Sequence, residues 1–116
     1  MSFDLAFWYE DVPSTAEQAL EIYERLGEEG ENGVVTSAPE VERFFAEVVK
    51  TYGDMTEENL DESPWSASPY GTAEYVIVNI SFSRVQEVVP VLEQLAAKHR
   101  VSMFDPQNRE IIHSHA

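Results

Sequence analysis

The chain has 116 residues, a length that suits one domain, and its 22 acidic against 7 basic side chains leave a formal net charge of −15. A field of that sign repels nucleic acid and anionic lipid and attracts cationic partners, which argues against nucleic-acid binding and membrane attachment. No cysteine is present, which removes disulfides, thiolate metal sites and thiol catalysis together, and no apolar run approaches the roughly 20 residues of a membrane span.

At the start of the chain, Phe3, Leu5, Phe7 and Tyr9 alternate with Asp4, Ala6 and Trp8. This period of two in aromatic and aliphatic residues predicts a strand over 2–9, and bulky groups on both sides make it an interior strand. Asp4 interrupts this run, Glu10 and Asp11 bound it, and no base precedes it. That is not the pattern of a signal peptide, and with the lack of cysteine it leads to the expectation of a cytoplasmic protein. Ser14 with Glu17 reads as a capping box opening a helix over 14–26, with Ala16, Ala19, Leu20, Tyr23 and Leu26 at helical spacing and Gly27 as its stop. Glu17, Glu21, Glu24 and Glu28 form an acidic stripe on its other face.

Ser37, Pro39 and Glu40 announce a second helix over 37–52, with Val41, Phe44, Phe45, Val48, Val49 and Tyr52 as its apolar stripe and Gly53 closing it. Two short helices joined by a polar loop predict an αα-hairpin on one sheet face. Periodicity then fails from Asp54 to Tyr70. A loop of that length within a compact domain is usually functional or partly disordered.

Tyr75 to Phe82 alternates Val76, Val78, Ile80 and Phe82 with Tyr75, Ile77 and Asn79, the clearest strand in the chain. Ser83 and Gln86 cap a third helix near 84–99, in which Pro90 marks either a kink or the first turn. Residues 101–104 read as a strand, Asp105-Pro106-Gln107-Asn108 as a turn, and 110–113 as a short edge strand. The order is β-α-α-β-α-β-(β), an α+β fold in one domain over 1–116. The expected sheet is small and mixed, with three or four strands packed by three helices. Residues 75–104 form a βαβ unit whose two strands run parallel.

Charge is concentrated in the first half: residues 1–62 hold 17 acids and 3 bases, whereas 63–116 hold 5 acids and 4 bases. The densest run, Glu57, Glu58, Asp61 and Glu62, stands beside Trp65 and Tyr70. Aromatic residues ringed by charge have the composition of a binding hot spot, so these six residues are the candidate partner-binding site. Trp65 has a second reading, in which its ring tucks into the core and pins the loop. No catalytic or metal-binding set and no cofactor site emerges. There is no G-x-S-x-G elbow, Gly27, Gly30 and Gly33 follow a helix instead of opening one, and His113-Ser114-His115 reads as a frayed tail. Asp4 and Asp105 would be close if their strands were neighbours. Paired carboxylates can do acid–base work, but a turn role explains Asp105 and a partner such as Arg84 or Asn79 would satisfy Asp4.

Three segments, Ser2-Phe3-Asp4-Leu5, Asp61-Glu62-Ser63-Pro64-Trp65 and Val101-Ser102-Met103-Phe104-Asp105-Pro106-Gln107, occur in that order. Together they resemble a group of small acidic bacterial proteins that typically open with Ser-Tyr-Asp-Leu and end in an aromatic-Asp-Pro-Gln turn. Here Phe3 stands where Tyr is common. Members of that group look like the immunity proteins that accompany bacterial polymorphic toxins, and the resemblance implies no active site. The leading expectation is therefore a cytoplasmic immunity-type protein that covers a cationic toxin enzyme with carboxylates along 54–62, joined by Glu21, Glu24, Glu28 and Glu29. The alternative is a small-ligand binder or enzyme with a pocket near Asp4, Trp8, Asn79 and Asp105. A third reading is a module that self-associates through its exposed edge strand.

Overall fold

The computed structural model of the protein describes residues 2–53 and 63–113. Strand β1 (Phe3–Trp8) runs through the middle, and Leu5, Ala6, Phe7 and Trp8 are fully buried. Helices α1 (Ala16–Glu29) and α2 (Pro39–Tyr52) follow, then strands β2 (Trp65–Gly71) and β3 (Tyr75–Ile80). A 3₁₀ turn (Phe82–Arg84) leads into α3 (Val85–His99), and strands β4 (Ser102–Asp105) and β5 (Glu110–Ile112) close the described chain. The strands make one sheet in the order β2-β3-β1-β4-β5.

The α+β class matches expectation, and the sheet differs in two respects. It has five strands among the described residues, and every neighbouring pair is antiparallel, so the sheet is not mixed. Strands β3 and β4 do run parallel to each other, but β1 lies between them and pairs antiparallel with both. The added strand is β2, which occupies part of the stretch expected to be a loop. Its sequence, Trp-Ser-Ala-Ser-Pro-Tyr-Gly, lacks alternation because the pairing with β3 is irregular between Trp65 and Ala67 and again between Ala67 and Tyr70. Such bulges and a proline are tolerated at a sheet edge.

The two faces of the sheet take different helices. Leu5, Phe7, Val76, Val78, Ile80 and Met103 meet Val41, Phe44 and Val48 of α2 and Val88, Leu92 and Ala96 of α3. Ala6, Trp8, Tyr75 and Phe104 meet Ala19 and Leu26 of α1. The predicted α1–α2 hairpin on one face is therefore overturned. The connection between those helices crosses the β2–β3 turn, where Gly33 N–H donates to Glu74 Oε1 at 3.1 Å and Ala38 N–H to Ala73 O at 3.0 Å. Nine residues suffice to carry the chain from one face to the other, and Gly30 (φ 63°) and Gly33 (φ 79°) supply left-handed backbone that other residues avoid.

Local signals moved by small steps. The capping box belongs to Thr15 and Gln18, not Ser14 and Glu17: Gln18 N–H donates to Thr15 Oγ1 at 3.2 Å and Thr15 N–H to Gln18 Oε1 at 2.9 Å. Strand β3 stops at Ile80, and Phe82 lies exposed in the 3₁₀ turn. Pro90 sits within α3, several residues past its start. Near the other end of the sheet, Gly71 is indispensable: a Cβ there would stand 2.5 Å from the Phe45 ring.

Trp65 resolves in favour of its core reading. Its ring is 1% exposed, meets Tyr52 edge-on at 5.5 Å, and donates through Nε1 to Gly53 O at 3.0 Å. It therefore joins the end of α2 to the start of β2 and is no exposed anchor. Trp65→Ala is expected to cost about 3–5 kcal/mol of folding stability. Trp65→Phe, which keeps most of the packing, should lose less. Urea unfolding followed by circular dichroism measures both.

Candidate functional site

The predicted site residues fall into separate places. Glu57, Glu58, Asp61 and Glu62 lie outside the described residues, Trp65 is core, and Tyr70 remains on the surface, 53% exposed. Tyr70 projects from the sheet edge with its ring 5.8 Å from that of Tyr75. Burial first, then the neighbouring Tyr70 and the Glu31 and Glu74 charges, push the Tyr75 hydroxyl above its ordinary range. Carboxylates thus act on the inner ring of this pair, and they are different ones from those the sequence pointed to.

The acidic stripe on α1 leads to the same corner. Glu17, Glu21, Glu24 and Glu28 are all exposed, and the C-cap Gly30 lies beside the Tyr75 hydroxyl. No basic residue occupies the last turn of α1, which ends in Glu28 and Glu29. Negative charge at a helix C-terminus opposes the macrodipole, so these residues work against the helix that carries them. Arg25 offsets part of this by pairing with Glu29 at 2.9 Å.

Of the residues of the alternative pocket, Asp4, Asn79 and Asp105 are brought together through one another and Gln107, with their polar groups engaged in hydrogen bonds. Trp8 is fully buried against Phe104. Asp4 Oδ1 accepts from Asn79 Nδ2 across the strand pair at 2.7 Å and from the nearby Ser2 Oγ at 2.6 Å, so its carboxylate is satisfied. Asp105 is spent on its turn: its carboxylate accepts from the backbone N–H groups of Gln107 (2.9 Å) and Asn108 (3.2 Å) and from the Asn108 amide (2.8 Å). The same turn explains the Asp-Pro-Gln motif. Pairing of β1 with β4 would next set Asp4 against Pro106, which has no N–H. The Gln107 side chain takes over, accepting from Asp4 N–H at 2.6 Å and donating to Asp4 O at 2.8 Å.

Sequence reasoning missed a polar knot behind the first helix. His113, expected in a frayed tail, is anchored there: its Nε2 donates to Ser14 O at 2.9 Å, and its Nδ1 faces Glu10 Oε1 at 3.1 Å and Ser102 Oγ at 3.3 Å. Ser102 Oγ also donates to Glu10 Oε1 at 3.0 Å. Three residues so far apart in the chain give no local signal, because only the β1–β4–β5 pairing gathers them. The types suggest a serine-hydrolase relay, but the arrangement is wrong for one. A relay needs the acid and the serine on opposite ring nitrogens, whereas both meet Nδ1 here, and Ser102 is only 1% exposed. The knot ties β5 to the segment between β1 and α1.

A second charged cluster joins α2 to α3. Lys98 Nζ reaches both Glu47 oxygens (2.9 and 3.0 Å), and His99 Nε2 lies 2.7 Å from Glu47 Oε1. Exposed Arg43 and Lys50 stand at the same hollow, so three bases gather round Glu47 on the face opposite α1.

Comparison with protein-family models, curated proteins and solved structures finds no match for this chain. Function therefore has to be argued from the surface itself. Among the described residues no helix is long and apolar enough to cross a membrane.

The Glu47 cluster sets a pH dependence. Hydrogen bonds from Lys98 and then His99 hold its carboxyl below the usual glutamate range. A lowered pKa in the folded state contributes stability that is complete above the unfolded value of about 4.3 and lost as pH falls through the folded one. Glu47→Gln should therefore unfold at lower denaturant than wild type at pH 7. The gap should close in acid, as read from urea midpoints across a pH series.

Proposed function

We propose that this protein is a binding module of immunity type, which neutralises a toxin enzyme by laying an acidic surface over its cationic active face. The observation that carries this reading is the corner where exposed Tyr70 lies beside Tyr75, whose hydroxyl feels the Glu31 and Glu74 charges, next to the C-terminal end of an acidic helix. Solubility would be served by charge anywhere. Glu28 and Glu29 sit where they cost the helix stability, and a cationic partner would relieve that cost on binding. The mechanism is steric and electrostatic: carboxylates on α1 steer the encounter, and the Tyr70 ring supplies a slowly dissociating contact.

The reading predicts opposite signs for stability and binding at one position. Glu28→Lys should raise folding stability by about 0.3–1 kcal/mol, since a cation complements the helix end. The same change should slow association with the cationic partner and flatten its dependence on salt. Tyr70→Ala should leave association nearly unchanged and speed dissociation. Affinity capture with the wild-type chain supplies the partner, and stopped-flow kinetics at low and high salt supply the rates. Capture that is indifferent to Glu28→Lys together with Glu21→Lys and Glu24→Lys, or a captured partner without a basic surface, would overturn the reading.

A further inference from the structure

Where β1 runs out towards α1, the surface opens into a cavity of about 410 Å³. That is within the roughly 300–1,000 Å³ range of sites that take discrete chemical groups. Glu10, Ser14, Gln18 and Glu21 supply its polar wall, and Val12 and Ile22 its apolar one. Glu10 is unusual among the acids, because its side chain is only 8% exposed. Ser102 and His113 hold Oε1, whereas no hydrogen bond to Oε2 is formed among the described residues. The Ser14 hydroxyl in the same wall is buried without a partner. The buried Ser14 hydroxyl and the second oxygen of a largely enclosed carboxylate thus offer acceptors to a donor that enters the cavity.

We propose that this cavity is a subsite for the guanidinium of an arginine side chain presented by the partner protein. The inference rests on the acidic-surface reading above and deepens it, since Glu21 belongs both to the α1 stripe and to the cavity. Guanidinium N–H groups would donate to Glu10 Oε2 and to the Glu21 carboxylate as charge-assisted hydrogen bonds. The aliphatic stem would lie along Val12, which is 80% exposed, and Ile22. Arg25 also borders the cavity, but Glu29 holds it at 2.9 Å, so its charge is already matched. The knot of Ser102 and His113 fixes the Glu10 carboxylate before any partner arrives, so binding does not have to order it.

The probe is Nα-acetyl-arginine methylamide, with the citrulline analogue as its uncharged counterpart, titrated into the ¹⁵N-labelled full chain. Saturable shifts are expected at the amides of Ser14, Gln18 and Ile22, with none from the citrulline compound. Glu10→Gln should weaken binding by about tenfold or more, as loss of a desolvated charge partner does. Because that change also removes a partner of His113, Glu21→Gln is the second variant, and it should weaken binding with the fold unaltered. Three results would overturn the subsite: no saturable shift at the probe's solubility limit, equal binding of the citrulline analogue, or undiminished binding in both variants. Shifts spread along Glu17, Glu24 and Glu28 would reject the subsite and keep the acidic surface. Localised probe binding in a chain whose captured partner lacks a basic face would reject the proposed function instead.

Discussion

Strand β1 has no wet face. Four consecutive residues, Leu5 to Trp8, are completely buried, with α2 and α3 over Leu5 and Phe7 and α1 over Ala6 and Trp8. A strand that must be dry on both sides needs a neighbour on each edge and helices on each face, and most of the architecture follows from that demand. The backbone of β1 is satisfied by β3 and β4, and at Asp4 by the Gln107 amide. Charged residues are left only its two ends, Asp4 and Glu10. Each is held by hydrogen bonds from distant parts of the chain, so the ends of the central strand are also where the termini of the fold are tied down.

The same demand separates the charges. Helix α1 covers its sheet face alone and turns four glutamates outward, whereas α2 and α3 share the opposite face and place Arg43, Lys50 and Lys98 round Glu47. The result is an uneven field: α1 carries five acids against one base, whereas α2 and α3 together carry five acids against three bases. On one side acids oppose the helix macrodipole; on the other, Lys98 and His99 complement the end of α3. The second side follows the rules of stability and the first breaks them, and that contrast is why the α1 side draws the functional argument.

Elements with strong periodicity were legible in the sequence. The strands at 2–9 and 75–82 and the three helices emerged within a few residues of their bounds, because apolar spacing reports directly on burial. The face on which a helix packs was not legible. Nothing in Leu20, Tyr23 or Leu26 says which side of a sheet they will cover, and a nine-residue connection allows either. Strand β2 was hidden because an edge strand with two bulges and a proline presents no alternation. Of the candidate site the exposure of Tyr70 was legible, whereas the approach of Glu31 and Glu74 to its neighbour Tyr75 was not, because separate loops contribute them. The Glu10–Ser102–His113 knot was beyond reach, since its members are brought together only by strand order.

One contact at the sheet edge constrains how this sequence can change over time. Gly71 lets β2 pass against Phe45 of α2 so closely that a single methyl group would meet the ring at 2.5 Å. The two positions behave as one joint choice of volumes: no side chain at 71 with a large ring at 45, or a larger residue at 71 with a small one at 45. Diverging copies of this gene would accordingly shrink residue 45 before or together with enlarging residue 71, because the reverse order passes through an overpacked intermediate.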